Sequence, residues 1–313
     1  MGRLAVIVGL VASTVTWAAC RPPPPVTEPP VAQVVQPAPP ERQTYQVKLR
    51  RPRQPGDREN IHYVAMEKQT KVTRVGPQVV GEETKARRVE LEGLLTVRDV
   101  NEPGQVIASQ IVVQKCTAQT SEGVRELARS GQVLEIVRGD PPTVTLDQQP
   151  VSEDDQDLFD LVLSLDPPAP PTEDEALGSS QPVQVGASWP IDAQLTAASM
   201  SRPDMVLDPA RLRGQTSVLG VEDVDGRECL DVQVLVEIRG VQMANLPPNA
   251  TLLSSEMQVQ MRALFPTDLV TPPVRDEAAM RLHFQIGVAR EGPQGVIDLT
   301  VERHELKLSV PAS

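Results

Sequence analysis

Aromatic side chains are scarce: Phe, Tyr and Trp together make up 2% of the 313 residues. Rings ordinarily supply much of a core and of a binding site, so this core must be built from Val, Leu, Ile, Met and Ala. The shortage also weighs against platforms that stack sugars or single-stranded bases on rings. Basic residues are outnumbered, with 30 Lys and Arg against 42 Asp and Glu and a net charge of −12. Nucleic acid is set aside as a partner on that ground, because neutralising phosphates takes clustered cations. Histidine is limited to His62, His283 and His304. None belongs to a His-Glu-x-x-His run or stands beside a cysteine, so spacing gives no metal site. A Gly-x-Ser-x-Gly elbow and a phosphate-cradling Gly-rich loop are missing too. Nothing positive points to catalysis, and no cofactor is expected. A hydrolase made of spatially assembled carboxylates stays as an alternative only, since spacing cannot reveal such a pair.

Cysteine is also sparse, at positions 20, 116 and 229. Met1-Gly2-Arg3 precedes an apolar run from Leu4 to Ala19. The run is shorter than the roughly 20 residues of a spanning helix and leads straight into prolines, the layout of an export signal over residues 1–19. Its end, Trp17-Ala18-Ala19-Cys20, resembles the lipobox of bacterial lipoproteins, with Trp17 where a Leu-like residue is usual. The resemblance implies lipid on Cys20 and hence a membrane as partner. Arg21, where an Asp would signal retention, implies the outer membrane with the domain facing the periplasm. The alternative is an ordinary secretory signal cut after Ala19, giving a secreted or soluble periplasmic protein. Cys116 and Cys229 remain. An oxidising compartment allows a bridge between them; two buried free thiols are the other reading.

Proline is abundant, with 31 residues, and concentrates after Cys20 in Pro22-Pro23-Pro24-Pro25, Pro29-Pro30 and Pro39-Pro40. Residues 20–43 therefore read as an extended polyproline tether. From Thr44 to the C-terminus a period of two dominates. Met257, Val259, Met261 and Ala263 alternate with polar residues, as do Met280, Leu282, Phe284, Ile286 and Val288, and as do Val89, Leu91, Leu95 and Val97. Strands of this kind have one buried and one wet face. Asp225-Gly226 joins two such runs, the signature of a two-residue hairpin turn. In the last run Ile297, Leu299 and Val301 share one parity and Leu306, Leu308 and Val310 the other, which predicts a bulge or a bend near Arg303-His304. Helix signals are few. Ser152 caps an acidic start followed by Leu158, Leu161, Val162 and Leu165 on one side. A second short helix is expected from Asp192 to about Arg202. The acidic, proline-rich stretch 166–181 reads as an exposed loop between two halves of the domain.

These observations predict a mainly β fold: a long curved antiparallel sheet, open or half-barrel, with a few short helices, a β-sandwich being the alternative. The segment Pro182-Val183-Gln184-Val185-Gly186-Ala187-Ser188-Trp189 resembles a phrase in uncharacterised exported bacterial proteins that precedes a meander of long strands, with Ala187 in place of an acid there. The layout is also similar to the half-barrels of periplasmic lipoprotein and lipid carriers. The resemblance implies the fold and no activity. Met257, Val259, Met261, Met280, Leu282 and Phe284 are either core filling or the lining of an apolar groove for a lipid or a partner's apolar segment. The expected function is a non-enzymatic, membrane-tethered binding or envelope-assembly lipoprotein with an unknown protein or lipid partner; a periplasmic carrier of lipid or apolar segments is the alternative.

Overall fold

The computed structural model of the chain describes residues 43–101, 104–163, 165, 172–202, 205–289 and 295–312. The expected export signal, Cys20 and all but the last residue of the expected tether fall outside them. Arg42–Ser313 is one compact unit. Its first half contains β1 (Thr44–Tyr45), β2 (Arg58–Val75), β3 (Gln78–Val100), β4 (Val106–Thr120), β5 (Gly123–Ala128), β6 (Val133–Val137), β7 (Thr143–Leu146) and β8 (Gln149–Pro150). Helices α1 (Glu153–Leu163) and α2 (Glu173–Leu177) follow. Then come β9 (Val183–Gln184), β10 (Ser188–Pro190), α3 (Ala193–Met200), β11 (Met205–Val206), β12 (Leu212–Val224) and β13 (Arg227–Arg239). The chain ends with β14 (Gln242–Met243), β15 (Ala250–Pro266), β16 (Arg275–Val288) and β17 (Gly295–Pro311).

Thirteen strands form one antiparallel sheet in the order β10-β12-β13-β15-β16-β17-β2-β3-β4-β6-β7-β8, with β5 also on β4. Its two outermost strands do not pair, so the sheet is open rather than a barrel, and the fold is mainly β, with three short α-helices among the described residues. It is not a sandwich of two sheets. The N- and C-terminal halves join where β17 pairs with β2, from Gly295 opposite Val75 to Pro311 opposite Glu59. The β12–β13 hairpin turns at Asp225 and Gly226, with φ of 53° and 76°. Both positions are left-handed, as that tight turn requires.

Directly paired residues share a face. The alternating apolar residues of β13, β15 and β16 therefore stand side by side: Ile238 opposite Met257, Met257 opposite Leu282, Val259 opposite Met280. Helices α2 and α3 close this field, contributing Ala176, Leu177 and Ala197 to a core with Val234, Val236, Ile238, Met257 and Phe284. In the other half, α1 lays Leu158, Phe159, Leu161 and Val162 on Val89, Leu91, Ile111 and Cys116. The helix after Ser152 thus covers β2–β4, not the methionine-bearing strands. Ser152 Oγ accepts from Asp155 N at 3.2 Å, the cap that the sequence promised.

Two expectations are corrected. Residues 166–181 are not all loop, because α2 lies within them. Thr172 and Glu175 form a reciprocal capping box, and the Asp174 carboxylate accepts from Leu49 N at 2.6 Å and Arg50 N at 3.2 Å. Glu173, Asp174 and Glu175 occupy the first turn of this helix, whose positive, donor-rich end suits acidic side chains. Nor does β17 bulge near Arg303: its pairing with β16 and β2 runs without a register shift. The two faces exchange character instead. Leu299 and Val301 face the helices, and the next three residues on that face are Arg303, Glu305 and Lys307. These charges are tolerated because they are paired. Arg303 donates to Leu161 O at 2.7 Å, at the C-terminal end of α1, and its Nε lies 2.7 Å from Glu305; Lys307 lies 3.2 Å from Glu305. A cation there also meets the negative end of the helix.

Candidate functional site

The six candidate groove residues lie on one face, as their register demands, but they do not line one open groove. Met257 is 1% and Phe284 5% exposed, both within the core under α2 and α3. Leu282 packs against the same cluster. Val259 and Met280 border a cleft of about 200 Å³ between the ends of α1 and α3, with Asp160, Arg202, Arg303 and Glu305 around it. Met261 lines a separate pocket of about 280 Å³ with Leu49, Leu177, Val232, Val234, Phe265 and two carboxylates, Glu173 and Asp276. Burial holds the Asp276 carboxyl above the usual carboxylate range, opposed by Lys307. Cys116 and Cys229 are buried free thiols in different clusters, so the bridge is not formed. Burial among apolar side chains pushes the Cys116 thiol up to about 12. Trp189 packs beside Val218 and Phe265 at the β10 edge, its Nε1 donating to Leu177 O at 3.0 Å.

The opposite face carries a larger depression. A trough of about 610 Å³ is bounded by Gln233 of β13, Gln260 and Arg262 of β15, Glu277 and Ala279 of β16, His304 of β17, His62 and Met66 of β2 and Arg88 of β3. In a flat sheet these six strands would span about 24 Å; one trough collects them because the sheet curls. A further hollow of about 270 Å³ shares Gln260, Ala279 and His304 and extends to Glu237 and Glu302. Its charges are held in place. Arg262 makes a two-pronged contact with the buried Asp231 carboxylate, Nε to Oδ1 at 2.9 Å and Nη2 to Oδ2 at 2.7 Å. Such forks fix the guanidinium plane, and the Asp231 carboxylate raises the Arg262 pKa further. Glu277 pairs with Arg275. The arrangement can offer fixed donors and acceptors to a polar surface, and it sets no hydroxyl or thiol nucleophile among them.

At the β2–β3–β4 flank of this face lies a constellation that spacing did not disclose. Glu90 and Glu92 point the same way from β3, His62 stands opposite Glu92 on β2, and Lys115 opposite it on β4. His62 Nε2 is 3.3 Å from Glu90 Oε1 and 3.8 Å from Glu92 Oε1. Lys115 Nζ is 2.6 Å and 3.7 Å from the same two oxygens, and Arg88 is 3.6 Å from Glu90 Oε2. The hydrogen bond from Lys115, more than any other influence, holds the Glu90 carboxyl below its ordinary range. The signal that could have found the cluster is Glu90-x-Glu92 on a wet strand face; what was missing was the hairpin register that brings His62 across.

Among the described residues no helix is long and apolar enough to cross a membrane. No protein-family model matches the chain, and no curated protein does. Among solved structures it is similar to Pseudomonas aeruginosa OpdQ, at 6% identity over 82% of this chain and 98% of that one, with a TM-score of 0.22. It is similar also to Pseudomonas aeruginosa OccK2 (OpdF) in complex with glucuronate, at 8% identity over 81% and 97%, with a TM-score of 0.19. Likenesses of that size carry no argument about function.

Proposed function

We propose that this chain is a non-enzymatic bacterial envelope lipoprotein, tethered to the outer membrane through Cys20, whose β domain presents the polar face of its sheet to a partner. The observation that carries the reading is the trough. It is broad and shallow, it crosses six strands, and its walls are fixed, mutually paired charges and amides. Surfaces of that kind suit a polar macromolecular contact better than an enclosed small molecule. The apolar face supports a narrower second reading. A pocket of about 280 Å³ around Met261 is at the small end for ligand sites and suits a short apolar group rather than a lipid carrier's cargo.

Two experiments test the proposal. Cys20→Ser should move the protein from the membrane fraction to the soluble fraction; a wild type that is already soluble refutes the tether. A photo-crosslinking residue in place of Gln260, inside the trough, should give a discrete adduct in intact cells. The same residue in place of the exposed Val124 of β5 should not. Equal adducts at both positions, or none, refute the docking face.

A further inference from the structure

We propose that His62, Glu90 and Glu92 form a site for one divalent transition-metal ion of the zinc type, and that Lys115 is the resident counter-charge which the ion displaces. Three ligand atoms, one from each side chain, lie within 4.8 Å of one another. A tetrahedral zinc ion with bonds of 2.0–2.2 Å sets its ligands about 3.4 Å apart. The separations from His62 Nε2 to the two carboxylates, 3.3 Å and 3.8 Å, are close to that edge. Strands rather than loops hold the three residues, so little reorganisation is needed to close them on an ion. The ring nitrogen supports the same assignment. His62 Nε2 is shut off from water and makes no hydrogen bond of good geometry, although it faces the two carboxylates. An imidazole nitrogen set between two carboxylates is a donor set for zinc or cobalt rather than for magnesium.

Lys115 marks where the ion would sit. Its ammonium lies beside the same two oxygens that would ligate, at 2.6 Å and 3.7 Å. It supplies one positive charge to a pair carrying two negative ones. Its side chain is 46% exposed and can swing into water. A dication satisfies both carboxylates and the imidazole together, which the ammonium does not. Lys115 is therefore a competitor, and removing it should strengthen binding. This inference is independent of the docking role of the trough.

The test uses untagged full-length protein in detergent micelles with Co²⁺ as the probe, followed by Zn²⁺ competition. The expected result is one Co²⁺ per chain, with the intense visible absorption of a tetrahedral ion, displaced by stoichiometric Zn²⁺. His62→Ala and Glu92→Gln should each weaken binding at least tenfold while keeping the wild-type circular dichroism. Lys115→Ala should tighten it by about tenfold, because the ion then has no ammonium to displace from the two carboxylates. Binding undiminished by His62→Ala overturns the site, as does an absence of binding at millimolar Co²⁺. A Lys115→Ala variant that binds no more tightly than wild type overturns the displacement. Because that variant gains a function, a folding defect cannot imitate the expected outcome.

Discussion

Truncating Met257 and Met261 separately tests how the helices cover the sheet. The two residues are on the same strand, share a face and are four positions apart, but their surroundings differ. Met257 is 1% exposed and enclosed by the α2–α3 core. Met257→Ala removes three heavy atoms beyond Cβ, a transfer loss of about 2.4 kcal/mol at about 0.8 kcal/mol per methylene-sized group. A void of ~60 Å³ left behind adds up to about 1.5 kcal/mol at ~24 cal/mol per Å³, less whatever the site regains by collapsing. The expected cost is therefore about 3 kcal/mol. Met261 is only partly buried and already borders an open pocket. Its truncation enlarges an existing hollow and should cost about 1 kcal/mol, mostly lost contact. Urea titrations followed by circular dichroism measure both, and an unchanged m-value shows that the unfolded state is not the cause. Equal costs, or a larger cost at Met261, would mean that α2 and α3 do not lie over Met257 in solution. Met257→Asp extends the comparison: burying an unpaired charge there should prevent folding, whereas Met261→Asp should leave a folded protein.

Asp276→Asn should stabilise the domain at neutral pH. A carboxyl whose folded pKa is raised costs stability above that pKa, and the cost fades as pH falls below its unfolded value near 4; the advantage of the variant in thermal melts should vanish in acid, and a constant advantage would refute burial as the cause. Cys116 should resist iodoacetamide in the native protein at pH 8 and react only in denaturant, since its thiol stays protonated; rapid native alkylation would place it at the surface. Arg303→Met should cost about 1–3 kcal/mol by orphaning carbonyls at the end of α1 and leaving Glu305 to Lys307 alone. Hydrogen exchange should then quicken first in α1, and uniform quickening would argue against a local cap.

Much of the sheet was legible because its strands are half buried, and a period of two survives wherever one face is wet. The Asp225-Gly226 turn was legible because few residue pairs accept two left-handed positions. What misled was the assumption that one face stays apolar along a whole strand. In β17 the helix face changes from Leu299 and Val301 to Arg303, Glu305 and Lys307 with no change of register. The reason is nonlocal: the end of α1, 142 residues earlier in the chain at Leu161, supplies carbonyls for Arg303. Helix α2 was hidden for a similar reason. Five residues are too few to show a helical period, and its anchor is a pair of amides at Leu49 and Arg50, far upstream. The His62–Glu90–Glu92 cluster needed the β2–β3 register, and the groove needed the placement of α2 and α3. A sequence specifies both, but only through tertiary packing.

The pairing of β17 with β2 has a consequence for how the domain comes into being. The central seam of the sheet joins the first long strand of the unit to its last, so its contacts are as distant along the chain as they can be. Such topologies fold slowly, because a loop of more than 200 residues must close before any of those bonds form. Each half can gather its own hairpins, but a chain emerging N-terminus first cannot complete the sheet until its final strand is out. Until then β2 and β16 each present a bare edge, which invites pairing with another chain. A chain that stops short of Gly295 should therefore yield two unjoined half-sheets prone to aggregation, a far heavier loss than removing one terminal strand, here of 17 residues, from most domains would cause.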